Sequence, residues 1–296
     1  MARHFTDRPQ ELVPKYLVQL LPQQRHALVV DTATATLYVY ENKDGVVRYL
    51  TDYYVSIGKE GMDKFREGDN KTPLGVYNVV GDISREVLER RYGPLAGQYG
   101  IGAFPINYPN DWDRRAGRNG HGIWLHGVPF DTYSRPPRAS NGCVALSNED
   151  FVALAKHVKV GATPVIIANG IEWTSPGELN ALRTDLTQAF ETWRSDWESL
   201  NTGNYLSHYS RQFAAPGYNH RTWSEYKRAV NAGKTWIKLR VDNVSIFFYP
   251  GDGELAMVTF NQYYSSSNLS GTTKRRQYWK KENGVWKIIH EGMAPA

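Results

Sequence analysis

The sequence predicts a mainly β domain with short helices, followed by an α+β domain in which a curved antiparallel sheet wraps helices. Three observations carry this. Short β-rich runs alternate with turn residues from Ala27 to Ala168. Leu179, Leu182, Leu186, Phe190, Trp193, Trp197 and Leu200 then recur at steps of three and four, which is an amphipathic helix. Long β-rich runs return after Trp236, separated by the turn residues Gly251-Asp252-Gly253 and Asn283-Gly284.

At 296 residues the chain is long enough for two domains with separate cores. Aromatic residues make up 13% of it, so burial can offset the folding entropy and the chain is read as globular. The net charge is +5, but basic and acidic residues interleave. Even Lys274-Arg275-Arg276 with Lys280-Lys281 is interrupted by Gln277, Tyr278 and Trp279, an alternating strand and not a nucleic-acid arm, and no nucleic-acid partner is expected. A single cysteine excludes an intramolecular disulfide. No apolar run approaches a membrane span. The first residues lack the apolar core of a signal peptide, so either the chain is cytosolic or a leader has been removed.

In order along the chain, residues 1–25 read as an N-terminal arm, 26–171 as the β domain and 172–296 as the α+β domain. Ala27–Asp31, Thr36–Tyr40 and Val46–Ile57 are expected strands, and Asp44-Gly45 marks a hairpin between the last two. The polar loop 58–75 lacks the Gly-Lys-Thr/Ser ending of a nucleotide loop and feeds a strand at Val76–Val80. A helix is expected over Asp82–Tyr92. Tyr99–Asn119 reads as a long aromatic loop, either packed surface or the wall of a binding groove. Asn148-Glu149-Asp150 is expected to cap a helix reaching Val158, and Thr163–Ala168 to form a buried strand. Turn residues at 170–178 mark the boundary. In the second half a helix is expected at Trp223–Val230, before strands at Trp236–Tyr249, Leu255–Ser265 and Thr273–Glu291.

The stretch from Trp124 to Leu146 carries the chemistry. Cys143 follows Ser140-Asn141-Gly142, a turn that presents the thiol at an element edge, and His126-Gly127 closes an apolar run. A cysteine attacks as thiolate and needs a base or a positive neighbour, and an imidazole is the natural base. Gly142 leaves room for a substrate carbonyl, and the Gly142 and Cys143 amides are candidate oxyanion donors. A lone cysteine in an apolar run is also a common core filler. A zinc set of His121, His126 and Cys143 lacks the close spacing of structural sites, so no metal is expected.

Ile123-Trp124-Leu125-His126-Gly127 with Ser140-Asn141-Gly142-Cys143-Val144 resembles the signature of the L,D-transpeptidase catalytic (YkuD) domain family, a His-Gly followed by Ser-x-Gly-Cys. Lys71-Thr72-Pro73-Leu74-Gly75-Val76-Tyr77 is similar to that family's Thr-Pro-x-Gly strand entrance. With the C-terminal half included, the chain resembles the two-domain subgroup related to the Csd6 cell-shape proteins, whose second domain is NTF2-like. The resemblance implies a YkuD-like β-sandwich or barrel followed by an NTF2-like domain, with Cys143 as nucleophile and His126 as general base. It implies no cofactor. The partner would be a peptidoglycan stem tetrapeptide in the periplasm, from which the terminal D-alanine leaves. The thioester would pass to an amine as an L,D-transpeptidase, or to water as an L,D-carboxypeptidase. Carbapenems would acylate the thiol. A non-catalytic wall-binding protein is the alternative of another class. Ser140, Asn141, Gly142 and Gly127 are the expected positioning residues.

Two residues depart from the family pattern: Asn141 replaces a frequent His, and Ala145 replaces a frequent Arg that would clamp a substrate carboxylate. Arg138 and Arg114 or Arg115 are candidate substitutes, and Trp124 and Tyr108 candidate substrate contacts. In the second domain Tyr205, Tyr209, Tyr263 and Trp279 read mostly as core. That domain is expected to bind a glycan or peptide portion of the wall, or to serve in a homodimer.

Overall fold

A computed structural model describes residues 11–251 and 254–294. Residues 1–10 of the expected arm, and Asp252 and Gly253 of the expected turn, lie outside the described residues. The chain divides into two compact units: one holds the described residues up to Tyr16 together with 22–173, the other residues 17–21 and those from 174 onward.

The first unit is built on strands β1 (His26–Asp31), β2 (Thr36–Lys43), β3 (Val46–Tyr54), β4 (Gly75–Asn78), β5 (Ile83–Ser84), β6 (Gly102–Pro105), β7 (Trp124–His126), β8 (Val144–Ala145) and β9 (Pro164–Ala168). They form a five-stranded sheet in the order β3-β2-β1-β9-β4 and a four-stranded sheet in the order β8-β7-β6-β5. In the first sheet β9 runs parallel to β1 and antiparallel to β4. Alternate residues of both sheets enter one core: Val30 and Leu37 from the first meet Phe104, Leu125 and Val144 from the second. Two inner faces sharing a core is the arrangement of a β-sandwich.

Three short helices accompany these sheets: α1 (Arg85–Tyr92), α2 (Asp111–Arg115) and α3 (Asn148–Ala155). α1 follows the expected helix at Asp82–Tyr92, and Leu88 is its buried anchor. α3 is capped by Ser147, whose hydroxyl accepts from Asp150 N, one residue before the predicted cap. The expected loop 99–119 is instead part strand and part helix. Its Phe104 sits on β6 and stacks on Phe151 of α3, with ring centroids 4.8 Å apart. β-strand alternation explains the difference, because Ala103 and Phe104 point to opposite faces and each meets a core.

The second unit packs α4 (Pro176–Glu198), α5 (Thr202–Ser207) and α6 (His220–Ala232) with strands β10 (Tyr209–Ala215), β11 (Ile237–Phe248), β12 (Leu255–Ser266), β13 (Ser270–Glu282) and β14 (Val285–Met293). A Ser175/Glu178 capping box and Pro176 start α4. Its stripe of Leu186, Phe190, Trp193 and Trp197 is buried as the helical period requires, and Phe190 meets Phe260 of β12 edge to face at 4.9 Å. The seven-stranded sheet runs Tyr218–Asn219, β10, β14, β13, β12, β11 and Leu17–Gln19. Leu17–Gln19 therefore corrects the reading of residues 1–25 as an arm: it is an edge strand on β11, fixed further by Gln19 Nε2 donating to the Val244 carbonyl at 2.8 Å.

Tyr205, Tyr209 and Trp279 are core residues, while Tyr263 lies partly exposed beneath the Arg240 guanidinium, 3.6 Å from its ring centroid. Lys227 of α6 is buried between Trp197 and Trp223, with its Nζ 4.6 and 4.5 Å from the ring centroids. Burial pushes its ammonium down to about 8, against the pull of the Glu291 carboxylate. Among the described residues no helix is long and apolar enough to cross a membrane.

Candidate active site

The four-stranded sheet of the first unit sets the site by register. Leu125 pairs with Val144 and His126 with Ala145 across the parallel β7–β8 ladder. One step back along that register, Cys143 falls opposite Trp124. Since side chains alternate faces, Trp124, His126 and Ala145 share one face, while Leu125 and Val144 point into the core; Cys143 is the bend residue just before β8, and the Trp124 N–H reaches its sulfur. The thiol at the entrance of β8 and the imidazole at the end of β7 are thus carried by the ends of adjacent strands, which sequence spacing alone does not require.

His126 is only 3% exposed, and its Nδ1 lies 2.5 Å from the carbonyl oxygen of Gly127. A carbonyl can only accept, so Nδ1 carries the proton and Nε2 keeps a lone pair, the tautomer a general base needs. Burial pushes the imidazole down to about 4, and the positive charge of Arg135 adds to that, partly offset by the Gly127 carbonyl. The Tyr99 ring stands edge-on to His126 at 5.2 Å and tilts on Trp124 at 4.8 Å, with Tyr92 5.9 Å from Trp124. Trp124 therefore belongs to an aromatic wall on the thiol side of the sheet.

The turn beyond His126 is held by Asn148, the first residue of α3. Its Oδ1 accepts from Ile101 N at 3.1 Å and its Nδ2 donates to the Val128 carbonyl at 2.8 Å. A Cβ on Gly127 would sit 2.2 Å from that Oδ1, so glycine is needed there for close approach.

Cys143 is partly exposed, and its Sγ faces the Gly122 carbonyl at 3.4 Å. Enough protein surrounds the sulfur to push the thiol up to about 11; the Trp124 N–H and the charges of Arg135 and Lys64 pull the other way without prevailing. Lys64 is itself buried and paired with Asp69 at 2.7 Å. Burial disfavours the Asp69 carboxylate, but Lys64 and three backbone N–H groups outweigh it and hold its pKa well below the usual carboxylate range.

The turn Ser140–Cys143 is locked from within and beneath. Ser140 Oγ donates to the Cys143 carbonyl at 2.6 Å and accepts from Gly142 N at 3.1 Å. The Gly142 amide, an expected oxyanion donor, here donates to Ser140. Thr72, wholly buried, donates from Oγ1 to the Gly142 carbonyl at 3.0 Å and accepts there from Gly58 N at 2.9 Å. The 58–75 loop is therefore the floor of the turn.

Gly142 has φ +117°, and a Cβ there would lie 2.7 Å from the Lys71 carbonyl oxygen. Gly142→Ala is expected to cost roughly 2 kcal/mol or more, because both the backbone conformation and a backbone atom resist the methyl group. Chemical denaturation would read that loss. A midpoint equal to wild type would remove the argument that Gly142 is fixed by close approach.

The remaining candidates scatter. Asn141 is exposed beside the thiol. Arg138 is exposed, with its guanidinium beside Gly61. Arg114 pairs with Asp111 in its own helix, and Arg115 lies over Trp112 with its guanidinium carbon 5.4 Å from the ring centroid. Tyr108, expected along a substrate groove, is instead core: it is 5% exposed, and its hydroxyl donates to the Asn119 carbonyl at 3.0 Å. His121 lies exposed near Glu67. Sequence reasoning singled out none of Arg135, Asn148 and Tyr99 as site residues; Asn148 carried a signal as a helix cap and Tyr99 as the start of the aromatic stretch, and Arg135 carried none.

Residues 25–167 match the L,D-transpeptidase catalytic domain (YkuD), and residues 185–292 match the Cds6 C-terminal NTF2-like domain. The structure of Bdellovibrio bacteriovorus Bd1075 is 31% identical, with a TM-score of 0.79, over 96% of this chain and 99% of that one. The chain belongs to the YkuD family of L,D-transpeptidase domains, in the branch that carries a Cds6-type NTF2-like domain. A structure of a mutant of the helical cell shape determining protein Pgp2 from Campylobacter jejuni is 25% identical, with a TM-score of 0.77, over 97% of this chain and 94% of that one. No curated protein matches significantly. Membership places the chain in a family of cell-wall enzymes, and the YkuD match spans β1 to β9 except for the last residue of β9, the sandwich on which Cys143 and His126 are built.

Proposed function

We propose that the protein is a cysteine acyltransferase acting on peptidoglycan stem tetrapeptides outside the cytoplasmic membrane, with Cys143 as nucleophile and His126 as general base. The observation that supports this reading is the β7–β8 ladder, with a partly exposed thiol on the residue before β8 and a Nδ1-anchored imidazole at the end of β7.

Burial pushes the thiol up to about 11, which favours attack with concerted proton transfer over a standing thiolate. His126 Nε2 instead takes the proton as sulfur attacks the carbonyl of the third residue. The C–S bond forms, and the oxyanion is met by the Cys143 N–H. On collapse the C–N bond breaks and the imidazolium returns its proton to the departing amine of the terminal D-alanine. The thioester then acylates an amine, giving a crosslink or a protein anchor, and the thiol is restored.

A second reading sends the thioester to water and leaves a tripeptide. The same thioester serves this outcome, since only the acceptor differs. Incubation with disaccharide tetrapeptide and mass analysis of the products separates the two. Dimers carrying the new crosslink are expected for the transferase, whereas tripeptide without dimer sinks it and leaves the carboxypeptidase. The NTF2-like domain is read as the part that binds the wall polymer or a second copy.

A further inference from the structure

Arg135 and Lys64 are the two cations whose charges act on the Cys143 thiol. Lys64 is held by Asp69, Arg114 by Asp111 and Arg118 by Asp63, and Arg115 lies over Trp112. Among the described residues no carboxylate pairs with Arg135, and the bond its guanidinium makes is a long one, Nη2 donating to the Gln98 carbonyl at 3.4 Å.

Its backbone, by contrast, is fastened. Tyr54 donates to the Arg135 carbonyl at 2.8 Å, Ser56 Oγ to the Pro136 carbonyl at 2.6 Å, and Ile57 N to the Pro137 carbonyl at 2.8 Å. Ser56 in turn exchanges two backbone hydrogen bonds, each 2.8 Å, with Ala145, two residues beyond the thiol. Gln98 adjoins Tyr99, the ring that stands against His126. The guanidinium therefore spans two segments that both end at the site, and its charge acts on both Cys143 and His126.

We propose that Arg135 determines which bond is cut: its guanidinium receives the free carboxylate of the residue that leaves, so that a terminal residue is released and an internal bond is not. This rests on the reading of Cys143 as the thioester-forming nucleophile. The leaving residue's carboxylate lies one residue from the attacked carbonyl, so its anchor must be held near the thiol on a rigid backbone; the segment of Arg135 is fastened to Tyr54, Ser56 and Ile57, and its guanidinium reaches Gln98 beside Tyr99. A planar guanidinium with unused donors matches a carboxylate in bidentate fashion, and covering by substrate strengthens the pair relative to one in open water. A site that bonds a substrate group rejects an analogue lacking it, since its own donors are then left unpaired.

The test compares kcat/KM for the disaccharide tetrapeptide and for its C-terminal amide, in wild type, Arg135→Ala and Arg135→Lys. Wild type is expected to prefer the free acid by roughly 10- to 100-fold. Loss of the Arg135 charge at Cys143 and His126 acts on both substrates alike, so the readout is the ratio: Arg135→Ala should bring the preference to about one, and Arg135→Lys should keep part of it. An equal fall on both substrates, or an unchanged preference in Arg135→Ala, overturns the assignment. Cys143→Ala run alongside separates the two levels. Absence of any Cys143-dependent cleavage in wild type overturns the thioester reading and this one together. Cys143-dependent cleavage with the wild-type preference retained in Arg135→Ala overturns the role of Arg135 alone.

Discussion

Cys143→Ala is expected to lower turnover of the stem tetrapeptide by roughly 10⁴-fold or more, and to abolish the covalent carbapenem adduct seen by intact mass. The same variant should unfold within a few degrees of wild type. The two effects separate because of where the sulfur sits. It is partly exposed and meets only the Gly122 carbonyl and the Trp124 N–H, so its removal leaves no large cavity. The turn that carries it is held by Ser140, Thr72 and Gly58, and none of these bonds involves the thiol. A core-filling cysteine would behave in the opposite way, losing stability on truncation while activity followed the folded fraction. Retention of wild-type turnover by the alanine variant would end the nucleophile reading.

Much of the fold was legible because its signals are local. The helical stripe from Leu179, the Asp44-Gly45 and Asn283-Gly284 turns and the apolar runs of the sandwich each depend on neighbours in sequence, and each matches an element of the structure. Leu17–Gln19 was not legible, since three residues carry no periodicity and their partners, Ile246 and Phe247, lie at the far end of the chain. Tyr108 was misplaced for a related reason. In a stretch rich in Pro, Asn and Gly nothing local tells a groove-lining ring from a buried one, and the Asn119 carbonyl that satisfies its hydroxyl appears only in the fold. Within the candidate site, motif residues gave the thiol and imidazole, while the field around them came from Arg135 and Lys64. A charged side chain in a polar loop reads as solvated surface until backbone bonds such as those at Tyr54 and Ser56 show where it is held.

The pH dependence should bear the mark of the same burial. Neutral imidazole and protonated thiol are the working forms, so kcat/KM is expected to stay level through neutrality and to fall on the acid side near pH 4, where His126 gains a proton, not near the ordinary imidazole value of 6.5. The alkaline limb should lie near 11, set by the thiol. Stability follows with definite signs. Between pH 6.5 and 4 the unfolded chain protonates its imidazole while the folded one does not, so the unfolded state binds more protons and stability falls as the pH is lowered, by up to about 3 kcal/mol from this group. Between pH 9 and 11 the unfolded chain releases the thiol proton first, so the contribution of Cys143 is lost as the pH rises. His126→Gln, which removes the titrating ring, should flatten the acid side of the stability curve while lowering kcat/KM at neutral pH by roughly 10²- to 10⁴-fold, the usual worth of a positioned base. Denaturant midpoints from pH 4 to 8 on both proteins measure the first effect, and product formation at pH 7 the second. An acid limb of activity near 6.5 in wild type would mean that an exposed imidazole does the proton transfer, and His126 would then lose its role.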